Sequence, residues 1–356
     1  MLDMPTGQPL RLTGSALERG RAQAATKSAG PVVQAIRLRL GEQAALFART
    51  NIRAYIDRQW DFAAADCAEE FAEMTGVAEG FGIDPHDLFD FLHLGIVADL
   101  AQQAAPSQDG CSAWALSASE AGPAVGKNRD FRGEHAGLQR VFLHEDPAWG
   151  GRKVLCVGSL GAPGAYSSGM NSDGLALADT AVASADHGTG WLRYFLMSRL
   201  LARHATVAAA LDDIRGLRHA GGGSLVLADA GGALAAVDLG HGKVHIETRE
   251  TGWIARTNHF APGSVAGLAD KADSSAESEG RLATLHRALQ SGQRSLAVLR
   301  QVMASHDGGD ATGLCRHALA GGSRTLSGAV FACREGLLYF CPGNPCETEW
   351  LRYAIT

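Results

Sequence analysis

The pair Gly110-Cys111 could carry out chemistry on its own peptide bond. A thiol can attack the carbonyl carbon of the preceding residue, and glycine adopts the backbone geometry this requires at the least steric cost. The attack gives a thioester, which water opens to leave a free α-amine on Cys111. That amine, with a pKa of about 7.7–8.0, can exchange a proton with a thiol of pKa about 8.5. The pair therefore predicts self-cleavage, after which Cys111 supplies both nucleophile and base.

The same pair also has a purely structural explanation. Seven cysteines and 44 glycines in 356 residues make a Gly-Cys pair common by chance. A free cysteine is usually a small buried residue of the core. The dipeptide alone leaves both explanations open.

The composition excludes several classes of function. A net charge of −6 and a pI near 6.1 give no electrostatic basis for binding nucleic acid or an anionic membrane. The chain has no apolar run of about 18 residues, the length of a transmembrane helix, and residues 1–5 show no signal peptide. The cysteines are odd in number and scattered, which favours a reducing compartment over a disulfide framework. We therefore expect a cytoplasmic protein that could be one large domain or two ordinary ones.

Upstream of Cys111 the patterns are mainly helical. Residues 10–15 predict a short strand and turn, residues 16–21 begin a helix, and residues 31–71 have helical periodicity. Residues 84–87 predict a helix start, with a capping aspartate, a proline and an acid in the first turn. Residues 103–109 form a polar, proline-broken linker of the kind that a cleavable junction needs.

Downstream of Cys111 the patterns are mostly those of strands, with helical interruptions. Strands are predicted at residues 112–116, 154–157, 175–177, 224–227, 234–238, 244–246, 328–333 and 337–340. Helices are predicted at residues 191–204, 206–217 and 280–290. Strands, then helices, then strands indicate a layered α+β fold with antiparallel sheets.

Short motifs along nearly the whole chain resemble those of one enzyme family, the acyl-coenzyme A:6-aminopenicillanic acid acyltransferase group of N-terminal-nucleophile (Ntn) hydrolases. This group is related to choloylglycine hydrolases and acid-ceramidase-like amidases. No single motif is decisive, but their order matches. They are the opening at residues 12–20, the junction Asp109-Gly110-Cys111-Ser112, and the segments at residues 126–131, 169–175, 257–260, 278–281, 315–317 and 342–346.

The resemblance implies a four-layer αββα sandwich of the Ntn-hydrolase type, in which two antiparallel sheets lie between helix layers. It also implies autocatalytic maturation of a zymogen. Cleavage would give a mostly helical small chain, residues 1–110, and a catalytic large chain, residues 111–356. The two chains would stay associated because the helices of the small chain bury their apolar faces against the large chain.

Within this resemblance, three residues take the central roles. Cys111 is the thiol nucleophile. Asp130 lies 19 residues further on (130 − 111), where a strand, a turn and a second strand would bring it back beside Cys111 to hold the α-amine. Asn258 would donate its amide N–H to the developing oxyanion. Without the resemblance, Asp130 and Asn258 would be interpreted as turn residues.

Three further residues are candidates for support of the site. Arg281 would orient Asp130 and Asn258 or hold a substrate carboxylate. Asn171 would help the oxyanion site or shape the pocket, although its neighbours also form a plausible tight turn. Lys127 stands where choloylglycine-type relatives have an arginine, and this departure leaves open whether it acts on the thiol.

No cofactor is implied. His259 is interpreted as a packing and hydrogen-bonding residue, because an N-terminal amine makes a histidine base unnecessary. Cys315, His317, Cys341 and Cys346 match no paired Cys-x-x-Cys spacing, so we expect no metal.

Three functions are compatible with these observations. The first is an amidohydrolase or acyltransferase that takes an acyl group from an amide or an acyl-CoA-like thioester through acyl-Cys111. The second is a choloylglycine- or acid-ceramidase-like hydrolase of N-acyl lipid amides. The third is an uncleaved, non-catalytic binding protein. The expected partners are a small-molecule substrate and the chain's own N-terminal fragment, with no nucleic acid and no membrane, and a homo-oligomer is left open.

Overall fold

Two β-sheets lie face to face, and helices cover the outer side of each. A computed structural model describes residues 4–25, 29–101, 110–265, 272–292, 294–306, 313–317 and 323–356, without the side chains of residues 272–275. The linker predicted at residues 103–109 lies outside the described residues.

The strands are numbered in chain order. They are β1 (Leu10–Thr13), β2 (Cys111–Leu116), β3 (Ala124–Arg132), β4 (Gln139–Glu145), β5 (Lys153–Ser159), β6 (Ser168–Asn171), β7 (Ala176–Thr180), β8 (Ser224–Ala228), β9 (Leu234–Leu239), β10 (Val244–Arg249), β11 (Trp253–Arg256), β12 (Ser323–Ala332), β13 (Leu337–Cys341) and β14 (Leu351–Ala354).

The helices are numbered in the same way. They are α1 (Ala16–Ala22), α2 (Ala29–Phe47), α3 (Thr50–Asp66), α4 (Ala68–Phe81), α5 (Pro85–Leu92), α6 (Leu94–Leu100), α7 (Arg193–Arg203), α8 (Val207–Gly216), α9 (Ala272–Gln290) and α10 (Leu296–Met303). Among the described residues, no helix combines the length and the apolar composition that crossing a membrane requires.

The strands form an eight-stranded and a six-stranded sheet. The first has the order β1-β4-β5-β6-β7-β8-β9-β10, and the second has the order β11-β2-β3-β12-β13-β14. Strands β1 and β4 pair in parallel, whereas the other described pairs are antiparallel. The N-terminal strand is thus built into a sheet whose other strands come from residues after Cys111.

The apolar core is divided into three layers. Alternate residues of the two sheets, such as Ala113 and Phe331 facing Leu155 and Val226, fill the space between them. The opposite face of the eight-stranded sheet packs on helices α2 to α8. The opposite face of the six-stranded sheet packs on α9 and α10, where Trp114 meets a leucine-rich surface. These contacts establish the αββα arrangement and confirm the predicted α+β class.

Several elements differ from the sequence prediction. The helical stretch predicted at 31–71 is three helices, and the third extends to Phe81. The first break follows Phe47, and the second lies at Cys67, whose backbone φ of −117° and ψ of 40° are not helical. Strands β4, β6, β11 and β14 were not predicted. The start of α5 was predicted correctly, since Asp84 accepts a hydrogen bond of 2.8 Å from the His86 backbone N–H.

Candidate active site

The pairing of β2 with β3 places Asp130 next to the Gly110–Cys111 peptide. Cys111 is the first residue of β2 and lies opposite Arg129 in the register of the two strands. The backbone N–H of Asp130, one residue further along β3, donates a 2.8 Å hydrogen bond to the Gly110 carbonyl oxygen. Cys111 is buried, with 6% of its surface exposed.

Gly110 is enclosed by charged side chains. A Cβ atom on Gly110 would lie 2.9 Å from Asp130 Oδ2 and 3.3 Å from Arg281 Nη1, and it would collide with Arg316 Nη1. The φ angle of Gly110 is not in the left-handed region. The structure therefore explains this glycine by lack of space for a side chain, whereas the sequence argument invoked unusual backbone geometry.

Asp130 is a buried carboxylate with one oxygen that accepts no hydrogen bond. Its Oδ1 accepts a 2.6 Å hydrogen bond from the Thr325 hydroxyl. Its Oδ2 accepts none from the described residues, and Arg316 Nη1 lies 4.0 Å from it. Burial raises the pKa of Asp130 to about 6, although Arg281, Arg316 and the Thr325 hydrogen bond oppose the change.

Asn258 contacts the Cys111 backbone directly. It follows β11, the strand that pairs with β2. Its Oδ1 accepts hydrogen bonds from the Cys111 N–H at 2.7 Å and from Arg281 Nη2 at 2.5 Å. Its Nδ2 donates one hydrogen bond, of 2.7 Å, to the Ala181 carbonyl. An amide nitrogen carries two hydrogens, so a second donor remains among the described residues.

Two motifs that are 20 residues apart in the chain meet at Ser278. The Ser278 hydroxyl accepts a 2.7 Å hydrogen bond from the Asn258 backbone N–H, and it lies 2.8 Å from His259 Nδ1. Arg281 follows Ser278 by one helical turn of α9 and is only 2% exposed. Burial lowers the pKa of Arg281, while Asp130 acts in the opposite direction. His259 is a hydrogen-bonded packing residue, and burial also lowers its pKa.

Lys127 lies in the space between the two sheets rather than against Asp130. It forms a buried ion pair with Asp179 of β7, and its Nζ also donates to the Ser167 carbonyl at 3.3 Å. Arg193 of α7 binds the other oxygen of Asp179 at 2.8 Å. Although burial opposes it, the two cations hold the pKa of Asp179 below its ordinary value.

Three residues of the site were not assigned a role from the sequence. Arg316 was part of a quoted motif, but its charge lies beside Gly110 and Asp130. Arg193 interacts electrostatically with Cys111, as Arg281 does. Thr325 holds Asp130. The motif around Arg316 was the one available signal. Arg193 lies on α7 and Thr325 on β12, and the sequence does not show how these elements pack against the strands that carry Cys111 and Asp130.

The structure does not bring Asn171 to this cluster. Its side chain binds the carbonyls of Leu201 and His204 at the end of α7 and the backbone of its own turn. The turn contacts Cys333 near Ala124, the end of β3 remote from Asp130. The tight-turn interpretation of this segment describes its geometry.

A cavity of about 470 Å³ lies elsewhere on the molecule. It is lined by residues of β10 and the end of α8, including His219, His241 and Lys243. None of its lining residues belongs to the Cys111 cluster, so it gives no support to the site described above.

The sequence matches the model of one protein family over more than half of its length. Residues 117–347, more than half of the chain, match the sequence model of the family "Acyl-coenzyme A:6-aminopenicillanic acid acyl-transferase". The chain belongs to this family. The family is one of acyltransferases, so the assignment identifies the chain as an enzyme and argues against the non-catalytic alternative. The match begins six residues after Cys111 (117 − 111) and does not include it.

Solved structures show a more distant likeness to this member of the acyltransferase family. A mutant conjugated bile acid hydrolase from Clostridium perfringens has 13% identity and a TM-score of 0.42, covering 69% of this chain and 97% of that chain. Penicillin V acylase from Agrobacterium tumefaciens has 13% identity and a TM-score of 0.42, covering 65% and 83%. A search of curated proteins found no match. The assignment therefore rests on the family match.

Proposed function

We propose that this protein is an autoprocessing cysteine Ntn acyltransferase or amidohydrolase. It cleaves its own chain between Gly110 and Cys111, and then transfers acyl groups from an amide or acyl thioester through acyl-Cys111. The observation that supports this most strongly is the enclosure of Gly110 by Asp130, Arg281 and Arg316, with one Asp130 oxygen that accepts no hydrogen bond.

The first step is attack of the Cys111 thiol on the Gly110 carbonyl carbon. Negative charge develops on the Gly110 oxygen, which already accepts the Asp130 N–H at 2.8 Å. A preorganised backbone donor at this oxygen stabilises the tetrahedral intermediate. When the intermediate collapses, the C–N bond breaks, the proton of the thiol passes to the leaving amine, and a thioester joins Gly110 to Cys111.

The second step is release and capture of the α-amine. Asn258 Oδ1 already accepts the Cys111 N–H at 2.7 Å, and Asp130 Oδ2 is available for a further hydrogen of the new amine. Water then hydrolyses the thioester, giving a carboxylate on Gly110 and a free thiol on Cys111. Overall one water molecule is consumed and one peptide bond is broken.

Turnover uses the same groups. The α-amine takes the thiol proton, the sulfur attacks the substrate carbonyl, and the protonated amine returns the proton to the leaving group. The second hydrogen of Asn258 Nδ2 and the positive charges of Arg281 and Arg193 stabilise negative charge in this step. Water or an amine then takes the acyl group from Cys111.

Mature protein would consist of a small chain, residues 1–110, and a large chain, residues 111–356. The test of turnover is to incubate purified wild-type protein with a panel of amides and acyl thioesters, and to map acyl groups by peptide mass spectrometry. The other six cysteines are an internal control. We expect acylation of Cys111 and not of the others, in step with product formation. Product formation without acyl-Cys111, or acylation spread evenly over the cysteines, would refute the mechanism.

A further inference from the structure

A second cluster of reactive side chains includes both chain neighbours of Arg316. It consists of His306, Cys315, His317 and Cys346, whose potential ligand atoms all lie within 4.8 Å of one another. The two sulfur atoms are 3.5 Å apart, and Cys346 Sγ is 3.3 Å from His317 Nε2. We propose that these four residues bind a structural zinc ion.

Two of the distances between the potential ligand atoms are close to those of a tetrahedral site, and the whole set lies within 4.8 Å. Zinc binds cysteine sulfur at about 2.3 Å and histidine nitrogen at about 2.0–2.1 Å, which places its ligand atoms about 3.3–3.8 Å apart. The measured separations of 3.5 Å and 3.3 Å are close to this range. Two cysteines and two histidines are a ligand set of structural zinc, and soft thiolates with imidazoles favour zinc over magnesium or calcium. A disulfide would need the sulfurs at about 2.05 Å, which this pair does not approach.

Neighbouring groups are arranged as they are around bound metals. Asn344 Nδ2 lies 3.5 Å from Cys315 Sγ, as a donor to a ligating thiolate does, and it also donates to the Arg316 carbonyl at 2.7 Å. His317 directs Nε2 at Cys346, while its Nδ1 lies 4.0 Å from the Glu347 carboxylate. A carboxylate orients a ligating imidazole in this way once the two are within hydrogen-bonding distance.

The four residues come from three separate segments. His306 follows α10, Cys315 and His317 precede β12, and Cys346 follows β13. The Cys315 N–H donates a 3.0 Å hydrogen bond to the carbonyl of Ser305, the residue before His306. The sequence argument considered Cys341 in place of His306. In the structure Cys341 Sγ contacts the carbonyls of Gly343 and Thr348 instead.

Zinc binding here is an exchange of protons for metal without oxidation or reduction. A zinc(II) ion displaces the thiol protons of Cys315 and Cys346, and the two thiolates balance its charge. The imidazoles bind as neutral ligands. Three segments would then be joined at one point, which stabilises the folded state because the unfolded chain has no preformed site.

The cluster also fixes the position of Arg316, which lies between two of its ligands. The Arg316 N–H donates to Thr325 Oγ1 at 2.8 Å, and the same hydroxyl donates to Asp130. If the proposed self-cleavage is correct, loss of zinc should slow it by displacing the Arg316 charge from Gly110. This consequence depends on the proposed function, whereas zinc binding does not.

The test measures metal and processing separately. Full-length protein expressed with added zinc, dialysed and analysed by plasma mass spectrometry should contain about one zinc ion per chain. Cys346→Ser and His306→Ala should lose the metal, whereas Cys341→Ser, the control at a neighbouring cysteine outside the cluster, should retain it. Cobalt(II) added to wild-type protein whose metal has been removed with a chelator should give the visible absorption of a tetrahedral thiolate site. This measurement does not depend on the folding of any variant.

The outcomes are distinct. Stoichiometric zinc that is lost in Cys346→Ser and kept in Cys341→Ser supports the site. Wild-type protein without zinc and without the cobalt spectrum overturns the zinc site. This holds if the cysteine thiols titrate as free, and also if the mass is lower by two hydrogens because Cys315 and Cys346 form a disulfide. Processing is read on a denaturing gel, so a metal-binding protein that stays uncut would support the zinc site and contradict the proposed function.

Discussion

At the scale of single residues, Gly110 is confined by its neighbours. Because a Cβ atom would collide with Arg316 and lie 2.9 Å from Asp130 Oδ2, Gly110→Ala should displace the groups that surround the scissile carbonyl. Overpacking of this kind costs about 1–3 kcal/mol, and about 1.4 kcal/mol of barrier is a tenfold change in rate. We expect Gly110→Ala to slow self-cleavage about tenfold or more, measured as the uncut fraction over time.

A matched control is Gly41→Ala in α2, where no atom lies within 4 Å of the added carbon. It should cleave like wild type and be slightly more stable, because alanine is favoured over glycine in a helix. Normal cleavage of Gly110→Ala would show that crowding at this residue does not matter.

The buried Asp130 gives a prediction about pH. Burial raises its pKa from 3.8 to about 6, so the folded, uncut state binds this proton more tightly than the unfolded state. The stability that the proton confers is complete below about pH 4 and is lost as the pH rises through 6. In a Cys111→Ala background, Asp130→Asn should therefore raise the free energy of unfolding by about 1–3 kcal/mol at pH 8, and progressively less toward pH 4.

Urea unfolding across this pH range measures the difference, with the exposed Asp212→Asn as control. A difference that does not change with pH would contradict the raised pKa. When Cys111 is present, Asp130→Asn should also impair self-cleavage. The asparagine side chain keeps the hydrogen bond to Thr325 but lacks the negative charge of the aspartate.

At the scale of elements, α9 connects the two motifs that hold the Cys111 backbone. Ser278 binds the Asn258 N–H, and Arg281 of the same helix binds Asn258 Oδ1. Ser278→Ala leaves a buried N–H without its partner, which costs about 1–3 kcal/mol. We expect lower stability together with slower processing, measured by thermal unfolding and by the uncut fraction.

The exposed Ser291→Ala, at the C-terminal end of the same helix, serves as the comparison. If Ser278→Ala underwent self-cleavage as fast as Ser291→Ala, the hydrogen bond from Asn258 to Ser278 would not be needed for cleavage.

Much of the site could be predicted from the sequence because its motifs occur in a fixed order. The interpretation put Asp130, Asn258 and Arg281 with Cys111, and the structure brings these four together. It could not place Asn171, since a Gly-x-Asn segment fits a tight turn as well as a site. The sequence could not predict that Arg193 interacts with Cys111, because this depends on how α7 packs on the sheet.

At the scale of the whole molecule, the segment before Cys111, the proposed small chain, is part of the sandwich rather than a separate domain. Strand β1, from before Cys111, pairs with β4, from after it, and α1 to α6 share an apolar layer with α7 and α8. Arg19 is 1% exposed and pairs with Glu73, which precedes Cys111, and with Asp146, which follows it. We expect the two chains to co-elute in native size-exclusion chromatography and to separate only on denaturation.

Asp146 also allows this association to be weakened. Asp146→Ala should lower the stability of the complex by about 3 kcal/mol, because it removes one partner of a buried arginine. Glu145→Ala, which breaks more exposed pairs with Arg11 and Lys153, should cost about 1 kcal/mol or less. Equal effects in urea unfolding would contradict the importance of the buried pair.

The αββα layers could be predicted from the sequence only through the resemblance. Strands such as β6 and β7 are buried on both faces, so they lack the alternation of polar and apolar residues that identifies a half-exposed strand. Strand β3 carries Lys127, Asn128, Arg129 and Asp130 in succession, all buried, and no apolar pattern marks it. The charged and polar residues that the candidate site requires thus remove the apolar pattern by which β3 could be recognised in the sequence.

The intact mass of purified protein is the most direct test of the central claim. Wild-type material should give two masses on denaturation, with Cys111 as the first residue of the larger fragment, while Cys111→Ala should give one uncut chain and Cys67→Ala should behave like wild type. A wild-type chain that remains whole, or one that is cut at another bond, would contradict the account.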